Sequence, residues 1–370
     1  MCRDESIKSK VTRPFEAIKI DHQDFLGGLL AWGGLRRRRS TLHRVVGLLV
    51  FPLILSACSA HSSISNSTTE ATSGSGHKKP SHGVSIGKTI DLAKSPIDAL
   101  SCVGSGFCMA ASNGGTIYRF NGQSWNISIR TTRSQSSGSG ISNPTVDCVN
   151  AQMCLGELAD SNLSVFDGSS WSLPSHIPGA QPIGALGCSP SGSCLAIDAI
   201  GDGFLYRNGK WSAAFNAWGS AVSISCVTTD FCAAAGGGVS FWNGSYWTKP
   251  VAADPSGLPT AISCLSTKFC MLVDDKGRTL TWNGESFSAA VKVGTDRLNA
   301  VSCLTNQWCI AVGNGGEVAV FDGSSWRRIL IGSVKSDFTS LSCEAVTSCN
   351  LGDSKGQVIS VHIGPQQIAQ

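Results

Sequence analysis

Between residues 83 and 370, apolar and polar residues alternate in short runs that are separated by turns rich in Gly, Asn and Asp. Alternation with a period of two is typical of β-strands that bury one face. Groups of four such runs recur every 38–40 residues over most of this region. Four strands at this spacing predict the blade of a β-propeller.

Each repeat also contains two cysteines with five residues between them. Across a tight hairpin, residues six apart lie on facing positions, where their β-carbons are close enough for a disulfide. Zinc binding is the alternative, but the spacing exceeds the usual ligand pair and the repeats contain only His176 and His362. We therefore predict one structural disulfide per blade, in the pairs Cys102 and Cys108, Cys148 and Cys154, Cys188 and Cys194, Cys226 and Cys232, Cys264 and Cys270, Cys303 and Cys309, and Cys343 and Cys349.

The two ends of the repeat region predict how the ring closes. The last repeat stops before its fourth strand, whereas residues 84–102 align without gaps to residues 325–343 of the preceding repeat. Residues 84–92 therefore match the missing strand. We predict an all-β fold, a seven-bladed β-propeller of four-stranded antiparallel blades over residues 83–370, closed by the N-terminal strand so that no sheet edge stays open.

The N-terminal segment reads as an export signal. Five arginines between positions 36 and 44 precede an apolar run at 45–55, which is too short to span a bilayer, and Leu55-Ser56-Ala57-Cys58 follows. We assign residues 1–57 to a prefix and signal peptide, by the general or the twin-arginine route. Export also agrees with the cysteine pairs, because disulfides persist in oxidising compartments.

The Leu-Ser-Ala-Cys sequence resembles the lipobox of bacterial lipoproteins. In that family the cysteine thiol receives a diacylglycerol and becomes the first mature residue, which implies lipidation at Cys58. The alternative is an ordinary signal peptide cleaved after Ala57 or Ala60. With or without the lipid, we predict that residues 58–82 form a flexible tether, since ten of the 18 residues at 59–76 are Ser or Thr. The resemblance implies a membrane-anchored protein on the extracytoplasmic side, at the cell surface or in the periplasm.

Several turns between the third and fourth strands have the pattern aromatic, Asn or Asp, Gly, two residues, Trp, as in FNGQSW and FDGSSW. This pattern resembles the Asp-box repeats of sialidase-like propellers and the propellers of photosystem-assembly factors. The chain departs from the Asp box because aromatic residues stand at the aspartate position. The resemblance implies the fold, and we expect the recurring tryptophans to pack in the core instead of forming a carbohydrate platform. The aromatic residues in question are Phe120, Phe166, Trp242, Trp282 and Phe321.

Charge argues against a polyanionic partner. The whole chain has a formal net charge of +4, but residues 58–370 contain 19 Lys and Arg against 20 Asp and Glu, which leaves −1. The positive charge belongs to the export signal, so we expect no nucleic acid partner. We also predict no catalytic residue, no metal and no cofactor, and we expect a monomer.

Residues that depart from the repeat are the candidates for binding. Glu157 stands where other repeats have Ala, Val, Ile or Gly, and Trp218 has no equivalent in other links between blades. Asp274, Asp275 and Arg278 add charge to one turn between the second and third strands. These turns and links open on one face of a propeller. The link at 130–145 is longer than the others, and Gly236–Gly238 is predicted to be a simple turn between strands.

Three functions remain open at this stage. The first is a non-catalytic binding or scaffolding lipoprotein that holds a protein or glycan of the envelope or the extracellular space. The second is a sialidase-like or other carbohydrate-active enzyme that uses acids and arginines from several blades. The third is an envelope-assembly factor.

Overall fold

The computed structural model describes residues 84–130, 144–159, 162–331 and 334–364. The predicted signal peptide, Cys58, the tether and most of the link at 130–145 lie outside these residues. Within them the structure is β throughout, apart from one 3₁₀ turn at Asn314–Gly316. None of the described segments is a helix with the length and hydropathy of a membrane span.

The strands form seven antiparallel sheets, which confirms the predicted seven-bladed propeller. Blade one contains β2 (Ile97–Cys102), β3 (Cys108–Ser112), β4 (Thr116–Phe120) and β5 (Trp125–Arg130). Blade two contains β6 (Val146–Asn150), β7 (Met153–Ala159), β8 (Asn162–Phe166) and β9 (Ser175–His176). Blade three contains β10 (Ile183–Cys188), β11 (Cys194–Asp198), β12 (Asp202–Arg207), β13 (Lys210–Trp211) and β14 (Phe215–Asn216). Blades four and five contain β15 (Ala221–Thr228), β16 (Phe231–Gly236) and β17 (Val239–Trp242); and β18 (Pro259–Ser266), β19 (Phe269–Asp274), β20 (Arg278–Trp282) and β21 (Val291–Lys292). The last two contain β22 (Leu298–Thr305), β23 (Trp308–Gly313), β24 (Glu317–Phe321) and β25 (Trp326–Leu330); and β26 (Phe338–Ala345), β27 (Ser348–Asp353), β28 (Gln357–Ile363) and β1 (Val84–Asp91).

The ring closes through the N-terminal strand, as predicted. Strand β1 pairs antiparallel with β28, so the seventh sheet has the order β1-β28-β27-β26. Side chains of β26 also reach the first blade, where Thr339 and Ser340 both donate to the carbonyl oxygen of Ile97 at 2.7 and 2.6 Å. Both ends of the repeat region are therefore joined by hydrogen bonds, and β1 covers the edge of β28 as the fourth strand of the seventh blade.

All seven predicted disulfides are present, each between the first two strands of its blade. In every blade the two cysteines occupy directly facing positions of the antiparallel pair, with Cα atoms 3.9–4.0 Å apart. Each bridge closes a short loop, for which the chain-entropy account gives about 2 kcal/mol of stabilisation. They supplement strands that contain many Ala, Ser and Gly residues.

Hydrophobic cores lie between neighbouring blades. Leu155 and Leu163 of blade two, for example, pack with Ile183 and Phe204 of blade three. The recurring Trp of the turn between the third and fourth strands packs against the aromatic residue that ends the third strand. The ring centroids are 5.1–5.8 Å apart in the pairs Phe120 and Trp125, Phe166 and Trp171, Tyr206 and Trp211, Trp242 and Trp247, Trp282 and Phe287, and Phe321 and Trp326. The predicted packing role of these tryptophans is confirmed.

The Asn or Asp of the same turn explains why the motif recurs. In five blades its side-chain Oδ1 accepts the backbone N–H groups of the residues two and three positions later, and the intervening Gly has a φ between 89° and 101°. Such turns need a side-chain acceptor and a residue that tolerates positive φ. The five acceptors are Asn121, Asp167, Asn243, Asn283 and Asp322.

Candidate functional site

The innermost strands line a central channel, and each position along them forms a ring of seven side chains. Two positions before the first cysteine of each blade, the residue is branched and apolar, for instance Leu100, Ile224 and Leu341. Most residues one position before the cysteine are serine. Four positions before it, the ring is varied, and it includes Asp98, Val222, Thr260, Asn299 and Thr339.

The varied ring surrounds a cavity of about 420 Å³ at the mouth of the channel. The mouth lies on the face that also carries the links between blades and the turns between second and third strands. Its charged lining consists of Asp98, Asp147 and Arg297, and Arg297 Nε donates to Asn299 Oδ1 at 2.9 Å. Val222 is 54% exposed and adds an apolar surface at the rim. This volume falls in the range of ordinary ligand pockets.

Below the cavity, the serine ring joins neighbouring blades. The serine oxygen of one blade accepts the backbone N–H of the first cysteine in the next blade, at 2.9–3.0 Å. This bond is made by Ser101, Ser225, Ser263 and Ser342. Because each bond links two sheets around the channel, the recurrent Ser-Cys pair is a joint between blades.

Asp147 replaces serine in the second blade and makes the same joint with a carboxylate. Its Oδ2 accepts the N–H of Cys188 at 2.7 Å, and its Oδ1 accepts the Ser101 hydroxyl and the N–H of Cys148, both at 3.0 Å. The residue has some accessible surface toward the cavity, but protein surrounds its carboxyl group. Burial raises the pKa of Asp147 to about 6, and these three hydrogen bonds oppose the rise only in part. The cavity therefore has a carboxyl group at its base that changes charge in mildly acidic solution.

Asp274 and Arg278, both predicted to bind a ligand, lie together in blade five. Arg278 Nε and Nη2 reach Asp274 Oδ2 at 2.8 and 2.6 Å, and Arg278 Nη1 reaches Asp254 Oδ2 at 3.0 Å. Nη1 also donates to Ser256 Oγ at 2.5 Å. Asp254 and Ser256 belong to the link from blade four, so the guanidinium clamps that link to the turn after β19.

Asp275 adds a second connection to the same link. Its Oδ1 accepts the N–H of Leu258 at 2.8 Å, and its Oδ2 lies 3.3 Å from Lys276 Nζ. The hydrogen bond from Leu258 lowers the pKa of the Asp275 carboxyl, so the group is ionised in ordinary conditions. The three charged residues of this turn thus lie together, and each contacts the protein's own link from blade four or its neighbour in the turn. Their predicted role in binding a ligand stays a prediction.

Asp274 is not an exception to the repeat, because two other blades have an Asp at the equivalent position. Asp198 and Asp353 occupy the same turn position, and all three are buried. In each case Oδ1 accepts the N–H groups two and four residues later, at 2.8–3.0 Å. The turn sequences IDAIG, VDDKG and GDSKG show this recurrence. Asp274 therefore stabilises its turn and orients Arg278, and its binding role stays a prediction.

Glu157 lies apart from that cluster, in β7 of blade two. It is 5% exposed, and its Oε1 accepts the N–H of Ile183, the first residue of β10, at 3.3 Å. Its own N–H donates to the carbonyl oxygen of Thr145. The contact with Ile183 connects blade two with blade three, whereas the contact with Thr145 lies within blade two, so the side chain of Glu157 forms a joint between blades. Its predicted binding role stays a prediction.

Trp218, in the link between blades three and four, is 45% exposed and has a φ of 66°. A bulky residue in this left-handed region is an outlier that costs about 1–2 kcal/mol. The indole is held firmly, because its Nε1 donates to the Trp247 carbonyl at 3.0 Å and Lys249 Nζ lies 5.2 Å from its ring centroid. The surrounding structure thus imposes a strained, exposed aromatic side chain.

The sequence comparison missed the varied ring and Asp147. Both were visible as columns of the aligned repeats: the position before the first cysteine reads Ser in five repeats, Asp in one and Gly in one. The position four before it has no consistent residue type. The signal is therefore variation at one position of a regular strand and not an unusual loop.

Fold and cavity together define a disulfide-bonded, seven-bladed β-propeller with a ligand-sized cavity at the mouth of its channel. No protein-family model matches the sequence, and no curated protein matches it significantly. Among solved structures, YCF48 bound to a D1 peptide superposes with a TM-score of 0.60 at 16% identity, covering 75% of this chain and 96% of that one. The WD40 β-propeller domain of Doa1 gives a TM-score of 0.63 at 12% identity, with 78% and 99% covered. At these identities the similarity shows the propeller fold.

Proposed function

We propose that this protein is a membrane-anchored extracytoplasmic lipoprotein whose propeller binds a segment of a protein partner at the mouth of its channel. The observation that carries the binding proposal is the cavity of about 420 Å³, whose rim differs in residue type from blade to blade, from Asp98 and Asn299 to Val222 and Thr260. Buried rings below it keep their residue types because they pack or join blades.

The chemistry of the rim suits a peptide segment with both polar and apolar groups. Asp98, Arg297 and Asn299 supply charges and amide groups, and Val222 supplies an exposed apolar contact. The solved YCF48 structure contains a D1 peptide, which supports the idea that a propeller of this architecture can hold a peptide. Anchoring rests on the lipobox-like sequence at Cys58.

The binding proposal is tested by site-specific photocrosslinking in intact cells. A photoreactive amino acid at Val222, on the rim, should capture a partner, whereas the same group at Leu173, which is 89% exposed in the outer part of blade two, should not. Equal capture at both positions, or capture at neither, would contradict binding at the channel mouth. Turnover of envelope glycans by the purified parent protein would favour the enzyme instead.

Anchoring is tested separately with Cys58→Ala. The variant should leave the membrane fraction and lack the mass of a diacylglyceryl group. A Cys58→Ala protein that stays in the membrane fraction would refute the lipid anchor and leave the binding proposal unaffected.

A further inference from the structure

The turn between the second and third strands of blade four is shorter than its counterparts. In six blades the second cysteine pairs with a residue 12 positions later, as in Cys270 with Trp282, but Cys232 pairs with Trp242, ten positions later. In blade five, five residues lie between Val273 and Thr279, the last paired residues of the second and third strands. In blade four, only Gly236–Gly238 lie between the corresponding residues, Ala235 and Val239. The prediction of a simple turn at 236–238 is therefore correct, and the turn lacks two residues.

This deletion leaves a cavity of about 210 Å³ on the face that carries the links. Its walls are Trp218 and Pro250, and its floor is formed by Ala235 and Gly236–Gly238. No charged side chain lines it. Its volume is below the range of pockets that enclose whole small-molecule ligands and suits a single anchoring side chain of a protein partner.

The short turn also changes the backbone groups at the cavity wall. In five blades the N–H five positions after the second cysteine donates to the carbonyl six positions before the first cysteine, as in Asp275 to Leu258 at 3.0 Å. The equivalent groups in blade four are the N–H of Gly237 and the carbonyl of Ser220. Both residues lie within the described part of the chain, make no such bond with each other, and line the cavity. A donor and an acceptor of the main chain thus border an uncharged pocket that has an aromatic and a proline wall, which is the chemistry that an extended peptide requires.

The pocket adjoins the channel mouth. Ser220 and Ala221 line the pocket, while Val222 and Ser223, the next two residues of the same segment, line the channel cavity. The turn of blade three packs against the Trp218 link, with the N–H of Ala217 donating to Gly201 at 2.9 Å, and places Ile200, 67% exposed, nearby. An extended segment that leaves the channel mouth over Val222 can therefore reach the pocket.

From these observations we propose that the pocket between Trp218 and Pro250 binds one apolar side chain of an extended peptide segment of the partner, whose main chain pairs with Gly237 and Ser220. This inference rests on the proposed binding function and names its anchor site. The strained and immobilised Trp218 forms a rigid wall, so little side-chain entropy is lost on binding.

The probe is N-acetyl-leucine N-methylamide, an apolar side chain between two peptide units, added to the full-length protein labelled with 5-fluorotryptophan. The Trp218 resonance is assigned from the Trp218→Phe variant. It should shift with saturation in the millimolar range, and N-acetyl-glycine N-methylamide, which lacks the side chain, should shift it at least tenfold less at equal concentration.

The blocking variant is Gly237→Leu. A β-carbon at Gly237 meets no atom within 4 Å, and its φ lies outside the left-handed region, so the leucine can enter the pocket without backbone strain. Gly106→Leu is the matched control, because a β-carbon there is equally unobstructed but lies at the hairpin on the other face. Gly237→Leu should weaken probe binding at least tenfold, and Gly106→Leu should leave it unchanged. A second variant with two residues inserted after Gly237 restores the five-residue turn and should have the effect of Gly237→Leu.

Unchanged binding to Gly237→Leu, with the other tryptophan resonances in place, would overturn the inference. A larger Trp218 shift with methyl N-acetylglucosaminide than with the leucine probe would also overturn it, in favour of a glycan. Failure of this inference can be distinguished from failure of the proposed function. If the probe does not bind the parent protein but crosslinking at Val222 persists in Gly237→Leu, the anchor pocket is refuted and binding at the channel mouth is not.

Discussion

The carboxylate of Asp147 should destabilise the propeller at neutral pH, and Asp147→Ser should relieve this. Serine is the residue that other blades have at this position, where its hydroxyl accepts the next cysteine N–H at 2.9–3.0 Å. The N–H of Cys148 keeps its bond to Ser101 in the variant, since that bond already exists. The substitution therefore preserves the joint between blades, and it removes the buried ionisable group together with the Oδ1 acceptor of the Ser101 hydroxyl.

The magnitude follows from the pKa. The pKa of Asp147 is about 6 in the folded protein, against 3.8 for an unperturbed Asp. The folded protein therefore binds this proton more tightly than the unfolded chain does, by about 3 kcal/mol when the pH change spans both pKa values. Because the folded pKa is raised, stability increases as pH falls from 7.5 toward 4. Between pH 7.5 and pH 5 this one group should contribute about 1.4 kcal/mol of that increase. Carboxyl groups with lowered pKa values, such as Asp322, lose their contribution only below about pH 4, outside this window.

The assay is reversible chemical denaturation of the oxidised protein at pH 5.0 and 7.5. The parent should gain roughly 1.4 kcal/mol between pH 7.5 and 5.0 relative to Asp147→Ser, and the variant should be the more stable protein at pH 7.5. Asp322→Asn is the control for net charge, because it removes one carboxylate from an exposed turn and should leave the difference between the two pH values unchanged. An Asp147→Ser protein that is less stable at pH 7.5 and keeps the parental pH dependence would refute the reasoning.

Three further outcomes test the structural assignments. Replacing Cys264 and Cys270 together by Ala should lower the free energy of unfolding by about 2 kcal/mol without changing the far-ultraviolet circular dichroism spectrum, and a loss of fold would show that the bridge does more than restrict the unfolded chain. Asp322→Ala should lower the thermal denaturation midpoint, and Asp322→Asn should not, because Asn121, Asn243 and Asn283 accept the same turn hydrogen bonds in other blades. An equal loss of thermal stability in both variants would contradict this role of the side chain. Ser342→Ala removes the bond to the N–H of Cys102 at the ring closure and should cost about 1 kcal/mol in the same measurement, whereas an unchanged midpoint would mean that water replaces the hydroxyl.

The architecture was predictable because its determinants recur. Spacing of the cysteines determines which residues face each other across the first hairpin, and residues 84–92 repeat the pattern of a strand that the last unit lacks, so the disulfides and the closure follow from counting. The candidate site was less predictable because one residue from each of several blades forms it, and only the closed ring brings Asp98, Val222 and Asn299 to one rim.

Two features of the site depend on tertiary structure and could not be predicted from the sequence. The raised pKa of Asp147 depends on enclosure by neighbouring blades, which no local pattern reveals. The missing two residues in the turn at Gly236–Gly238 could be counted in the sequence, but whether the neighbouring link fills the gap depends on the backbone of Trp218. Its left-handed conformation holds the indole at the wall of the cavity, so the gap stays open.

The closed ring explains why variation can concentrate on one face. Stability comes from the disulfides, the serine joints and the cores between blades. Three members of the varied ring also contribute, because Thr260, Asn299 and Thr339 donate to carbonyl oxygens of the next blade. Clamps such as Arg278 with Asp254 fix the links of blade five, whereas the link at Trp218 borders an open pocket. The apolar side chain of Val222 cannot donate such a bond to the next blade, so we expect a change there to cost the fold less than a change at Thr260, Asn299 or Thr339. Under the proposed binding function, we therefore expect the determinants of partner specificity to lie at the rim positions that make no bond between blades and at the adjoining pocket.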